Sequence, residues 1–136
     1  MKGTYVLLMK LQNDSTFRIG KRGEQTFVNG YYLYVGSALN GLDQRIQRHL
    51  RKKKKMHWHI DYLLQHAEII AVLYKESTTR EECTIAETLR NKLNIIPGFG
   101  CSDCSCTSHL FTGSHKEILH FLESLHRDAY SLEGKS

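Results

Sequence analysis

The chain has 136 residues, 40% hydrophobic and 24% charged. That is the make-up of one soluble globular domain and excludes a disordered, collagen-like or coiled-coil chain. No apolar run approaches the ~18–20 residues that span a bilayer. Nineteen Lys and Arg against 14 Asp and Glu leave a net charge of +5, which favours a polyanionic partner, usually nucleic acid, although many basic domains bind none.

The start, MKGTYVLLMKLQND, lacks the apolar length and the small-residue cleavage site of a signal peptide, so a cytoplasmic location is expected. Residues 3–11, GTYVLLMKL, predict a buried strand, and QNDS at 12–15 is turn chemistry. TFRIG at 16–20 predicts a short strand that KRGE at 21–24 turns back. Residues 26–37 are rich in Tyr and Val, are broken at Asn29-Gly30, and carry one long strand or two short ones. The first third therefore predicts a mostly antiparallel sheet.

Residues 41–54 change character: Leu42, Ile46, His49 and Leu50 share one helical face, Asp43, Gln47 and Arg48 lie elsewhere, and Arg45 sits at the edge of the apolar face. RKKKK at 51–55 ends or follows that helix. A short helix is predicted over 57–67, a strand over 68–76, and a helix over 77–93 with Ile85, Ala86, Leu89 and Leu93 inward. Pro97, the only proline, is a hard stop. Residues 101–111 read as irregular, ending in a short apolar stretch. The last predicted helix, 114–132, has Ser114 and Glu117 as a capping box and Ile118, Phe121, Leu122 and Leu125 on its face. The expected organisation is one α/β domain over 1–132, a small mainly antiparallel sheet flanked by helices, with a loose tail at 133–136.

Two aromatic–glycine strands carry the functional signal. One holds Gly3-Thr4-Tyr5. The other holds Tyr34-Val35-Gly36, followed by Ser37, Ala38, Asn40 and a helix bearing Arg45 and His49. The pattern resembles the GIY-YIG nuclease superfamily, and KMHWHIDYLL, ECTIAETL and GFGCSDCSCTSHLF resemble its Uri-type subgroup of unknown function, found alone or fused to endonuclease III. The resemblance covers most of the chain. It departs from the superfamily pattern in two places: Tyr34 follows Tyr5 by 29 positions (34 − 5), which requires an extra hairpin between the motif strands, and Gly41 adds one residue between Tyr34 and Arg45.

The resemblance implies a metal-dependent endonuclease acting on nucleic acid, DNA before RNA. Its catalytic set would be Tyr5, Tyr34, Arg45, His49 and Glu82. Phosphodiester hydrolysis needs a base for the attacking water, neutralisation of the phosphoryl oxygens, and stabilisation of the leaving oxygen. Tyr5 would be the base, Tyr34 would position water or phosphate, and Arg45 would grip the phosphate through a guanidinium that never loses its charge. His49 would assist proton transfer or hydrogen-bond a tyrosine. Glu82 would bind one Mg²⁺ or Mn²⁺. Among Glu81, Glu82 and Glu87, only Glu82 lines up with Ala86, Leu89 and Leu93, and the family pattern of apolar residues three and four places after its Glu is met by Ile85 and Ala86.

Nucleic-acid contacts are expected from Ser37, Asn40, Arg48, Lys52, Lys53, Lys54, Trp58 and His59, with Trp58 stacking on a base and the lysines meeting phosphates; His57 and Asp61 are further candidates to line that groove. Bland readings stand beside these. Tyr5 and Tyr34 alone read as core tyrosines, Arg45 as a surface cation, His49 and Trp58 as core, RKKKK as a solvated helix end, and Thr79 with Glu82 as a capping box. Three of the four Cys fall at Cys101, Cys104 and Cys106, with Cys83 apart. With His109 they have the ligand types of a zinc site, but four ligands within nine residues crowd one tetrahedron. Under the resemblance, Asp103 and His109 reach the active site. Two rival functions stay open: a nucleic-acid-binding module without cleavage, and a structural zinc domain whose basic face meets RNA or a protein.

Overall fold

The computed structural model describes residues 2–38, 41–56, 58–77, 81–96, 99, 108–127 and 131–134. Among them the chain runs β1 (Gly3–Leu11), β2 (Ser15–Arg18), β3 (Glu24–Phe27), β4 (Gly30–Ala38), α1 (Leu42–Leu50), α2 (His59–Leu63), β5 (Glu68–Glu76), α3 (Glu82–Arg90), β6 (Asn94–Ile96), β7 (Leu110–Gly113), α4 (His115–Arg127) and β8 (Ser131–Gly134). A six-stranded sheet has the order β6-β7-β4-β1-β5-β8, and β2 and β3 form a separate two-stranded sheet. Every pairing is antiparallel, as the expected fold class requires.

β1 is central because both its faces are apolar and both are covered. Its odd positions, Tyr5, Leu7, Met9 and Leu11, share a core with Tyr32 and Tyr34 of β4, Leu42 and Ile46 of α1, Ile60 and Leu63 of α2, and Phe17, Ile19 and Phe27 of the small hairpin. Its even positions, Val6 and Leu8, pack with Leu33 and Val35, with Ile85, Ala86 and Leu89 of α3, and with Ile118, Phe121 and Leu125 of α4. The sheet is therefore the middle of three layers.

The stretch 26–37 resolves into two strands that break at Val28-Asn29. Asp14 closes the base of the hairpin by accepting from the backbone N and Nδ2 of Asn29, both at 2.8 Å. KRGE is in part a 3₁₀ turn over Gly20–Arg22. Ser114 and Glu117 form the expected capping box at the start of α4: the Ser114 backbone N donates to Glu117 Oε1 at 3.0 Å and the Glu117 N to Ser114 Oγ at 3.2 Å. Three edge elements depart from the expectation. Asn94–Ile96 and Leu110–Gly113 pair as β6 and β7, and Ser131–Gly134, expected as the end of the last helix and the start of a loose tail, is a strand paired with β5, the helix ending at Arg127. Among the described residues no helix is long and apolar enough to cross a membrane.

Candidate active site

The register of β1 on β4 builds the site. Tyr5 stands opposite Gly36, and Leu7 opposite Tyr34. Side chains alternate along a strand, so Tyr5 and Tyr34 lie diagonally on the same face. Tyr5 passes over Gly36: a Cβ there would fall inside the van der Waals reach of the Tyr5 hydroxyl and Cζ. The glycine of the second motif is thus the seat of the tyrosine of the first. The extra hairpin leaves this pairing intact, because it forms its own sheet. Tyr74 of β5 faces Tyr5 from the other side, a third tyrosine that only the strand register reveals.

Gly41 absorbs the added residue. It precedes α1 with φ of 69°, a left-handed conformation that favours glycine. Its carbonyl accepts from the Arg45 N at 3.0 Å, and α1 then delivers Arg45, Arg48 and His49 toward the tyrosine face. His49 is 2% exposed. Its Nε2 lies 2.7 Å from the Tyr5 hydroxyl, and its ring centroid is 6.1 Å from that of Tyr34. Nδ1 of His49 is buried without a hydrogen-bond partner among the described residues. Burial, and then the positive charges of Lys54, Arg48 and Arg45 against the opposing charge of Asp61, push the imidazole down from 6.5 to about 3. His49 is therefore a neutral ring at the phenol of Tyr5.

Arg45 is half-buried, donates from Nη1 to the Ser37 carbonyl at 3.2 Å, and lies 4.7 Å from the ring centroid of Trp58. Tyr5, Tyr34, His49, Trp58 and Arg45 therefore form one continuous set of contacts. Ser37 takes part through its backbone oxygen.

Several residues expected to meet nucleic acid are committed elsewhere. Arg48 forms a two-pronged ion pair with Asp61, Nη1 to Oδ1 at 2.9 Å and Nη2 to Oδ2 at 3.0 Å. Lys54 donates to the carbonyls of Arg48 at 3.0 Å and His49 at 2.8 Å, satisfying the exposed end of α1; burial first, and then neighbouring cations, push it down to about 8. Lys52 holds the carbonyls of Leu64 at 3.2 Å and Ala67 at 3.4 Å. Lys53 remains on the exposed surface, as do Arg51 and Lys55. Two guanidinium groups lie against the Trp58 ring, and the His59 ring lies 5.7 Å from that of Phe99.

The remaining candidates lie at or beyond the described residues. Glu82 opens α3, at the end of the sheet and on the helix that packs against the opposite layer from Tyr5. The preceding residue anchors that start: the Glu81 N donates to Thr4 Oγ1 at 3.4 Å. The side chain of Glu82 lies outside the described residues, as do Asn40, His57, Thr79, Cys101, Asp103, Cys104 and Cys106. His109 is 2% exposed; its carbonyl accepts from the Val35 N at 2.9 Å and its N donates to the Phe99 carbonyl at 2.7 Å. Among the described residues no group of three His, Cys, Asp or Glu side chains is placed to hold a metal ion.

Sequence reasoning missed the partnership of Arg48, Trp58 and Asp61. Its only trace was an acid three places after a Trp, at the start of a short helix. A family model described as "Domain of unknown function DUF123" matches residues 4–131. No curated protein and no solved structure matches the chain.

Proposed function

The chain belongs to the DUF123 family, and from that premise we propose that it is a GIY-YIG-type, metal-dependent endonuclease that hydrolyses phosphodiester bonds in nucleic acid, DNA in preference to RNA. One observation carries the reading: the Tyr5 hydroxyl sits 2.7 Å from Nε2 of a buried, neutral His49, on a face shared with Tyr34 and bordered by the Arg45 guanidinium. Any buried tyrosine hydroxyl needs a partner; a neutral imidazole is one that can also take its proton.

In this reading Tyr5 is the base. As water attacks phosphorus, its proton passes to the Tyr5 oxygen while the Tyr5 proton passes to Nε2 of His49, so no free phenolate is required. Burial first, and then the three neighbouring cations, make His49 a weak acceptor in the free protein. A phosphate arriving beside Arg45 offsets that charge and raises its proton affinity. Arg45 neutralises the phosphoryl oxygens, and Tyr34 orients the water. The donor set suits Mg²⁺ or Mn²⁺, since one carboxylate is enough for an ion that keeps most of its waters, and Glu82 heads a helix whose start is tied to the residue before Tyr5. Bound there, the ion would supply Lewis-acid neutralisation of the phosphate and the leaving oxygen.

The test is cleavage of labelled single- and double-stranded DNA and RNA with Mg²⁺ or Mn²⁺, by wild type, Glu82→Ala and Arg45→Ala. We expect each substitution to lower the rate by roughly 10²–10³. Cleavage unchanged in both variants rejects the site. Binding without cleavage under either metal supports the non-catalytic module, and near-stoichiometric zinc in purified protein supports the structural zinc domain.

A further inference from the structure

Trp58 collects side chains from one face of α1. The Arg45 guanidinium carbon lies 4.7 Å from its ring centroid and that of Arg48 4.4 Å, and the His49 ring centroid is 5.8 Å away. Residues at i, i+3 and i+4 share a helix face, so one indole touches three of them. The indole is itself held: the Trp58 backbone N donates to Asp61 Oδ2 at 2.9 Å. The Asp61 side chain is 0% exposed and grips Arg48.

The two guanidinium groups are not equivalent. Arg48 has both forks on Asp61, and Nη2 also donates to the Lys55 carbonyl at 2.9 Å. Its charge is matched and its donors are used. Arg45 has no carboxylate partner among the described residues and spends one donor on Ser37. A guanidinium stacked on an aromatic ring engages its face and keeps its rim of N–H groups for other partners.

We propose that Trp58, anchored through Asp61, is a positioning residue for Arg45: the indole sets the plane of this guanidinium so that its N–H rim meets a phosphodiester, and it does not stack on a base. The proposal rests on the endonuclease reading for the phosphate contact, and it makes recognition here one of backbone rather than sequence.

Trp58 is the only Trp in the chain, so intrinsic emission reports on it alone. The experiment measures affinity for a labelled duplex, and for a strand made only of abasic sites, both in EDTA. The proteins are wild type, Trp58→Leu, Trp58→Phe, Arg45→Gln and the Arg45→Gln/Trp58→Leu double variant. Cleavage with Mg²⁺ is followed in parallel. Trp58→Leu should weaken binding about 3- to 10-fold, equally for both probes, and Trp58→Phe should restore most of it. In the Arg45→Gln background the Leu substitution should change affinity by less than about 1.5-fold, as expected of residues that act as one unit. Wild-type emission should respond to the abasic strand, and that response should vanish in Arg45→Gln. Equal losses in both backgrounds, a Phe variant as weak as Leu, or a loss confined to the base-bearing probe would each overturn the proposal. Binding that follows the expected cycle without cleavage refutes the nuclease reading alone. Cleavage with an additive cycle refutes the positioning role alone.

Discussion

Acid should destabilise this protein through one histidine. His49 is buried, and its imidazole titrates at about 3 in the folded chain against 6.5 when unperturbed. Between those values the unfolded chain carries a proton that the folded chain lacks. Stability is therefore complete above pH 6.5 and falls as the pH drops toward 3. Linkage puts the loss at about 2 kcal/mol between about pH 7.5 and pH 5, and at roughly 3 kcal/mol by about pH 4. The comparison is guanidinium chloride unfolding of wild type and His49→Gln at both ends of that range. A Gln amide reaches the place of Nε2 and keeps a partner for Tyr5, but it does not titrate. The other seven of the eight His are common to both proteins, so their contributions cancel in the comparison. Wild type should lose about 2 kcal/mol more than the variant on acidification. A difference under about 0.5 kcal/mol would refute the argument that burial and three neighbouring cations keep this ring neutral.

Gly36→Ala should displace the Tyr5 ring, destabilising the fold by about 1–3 kcal/mol and lowering cleavage at least as much as Tyr5→Phe; chemical denaturation and the DNA assay read the two effects. Asp61→Ala should cost about 2–3 kcal/mol in thermal or chemical unfolding, below the usual range for a broken buried pair, since the Arg48 side chain is 21% exposed. Lys53→Gln should leave stability within about 0.5 kcal/mol and lower the slope of log affinity against log salt by about 1. Lys54→Gln should instead cost about 1 kcal/mol through loss of the hydrogen bonds to α1, with little change in that slope.

Two of the three nine-residue strands of the central sheet, Gly3–Leu11 and Glu68–Glu76, were legible because sustained apolar runs announce burial. The α3 face and the α4 capping box were legible for equally local reasons. Helix α1 stops at Leu50, where RKKKK begins: Arg51 turns extended and Lys54 folds back to satisfy the last carbonyls. β6, β7 and β8 are three or four residues long. Their identity comes from the strand beside them, which no local pattern encodes. The site divides the same way. Tyr5, Tyr34, Arg45 and His49 could be named from motif and order. The fates of Arg48, Lys52 and Lys54 could not, because each is decided by a partner five to fifteen positions away. A run of cations reads as surface charge until the carbonyls that capture it are located.

The hairpin between the two motif strands has a consequence for re-engineering the molecule. β1 and β4 match over nine rows, Gly3 with Ala38 through Leu11 with Gly30, so the alignment of Tyr5 on Gly36 is dictated by the ladder and is indifferent to what joins it. A tight two-residue link would preserve that alignment. It would also strip away Phe17, Ile19 and Phe27, whose rings and methyls roof the tyrosine layer, with Phe17 stacked 4.0 Å from the His66 ring. The excursion thus behaves as a keystone: dispensable for alignment, it supplies the apolar side chains that cover the layer beneath.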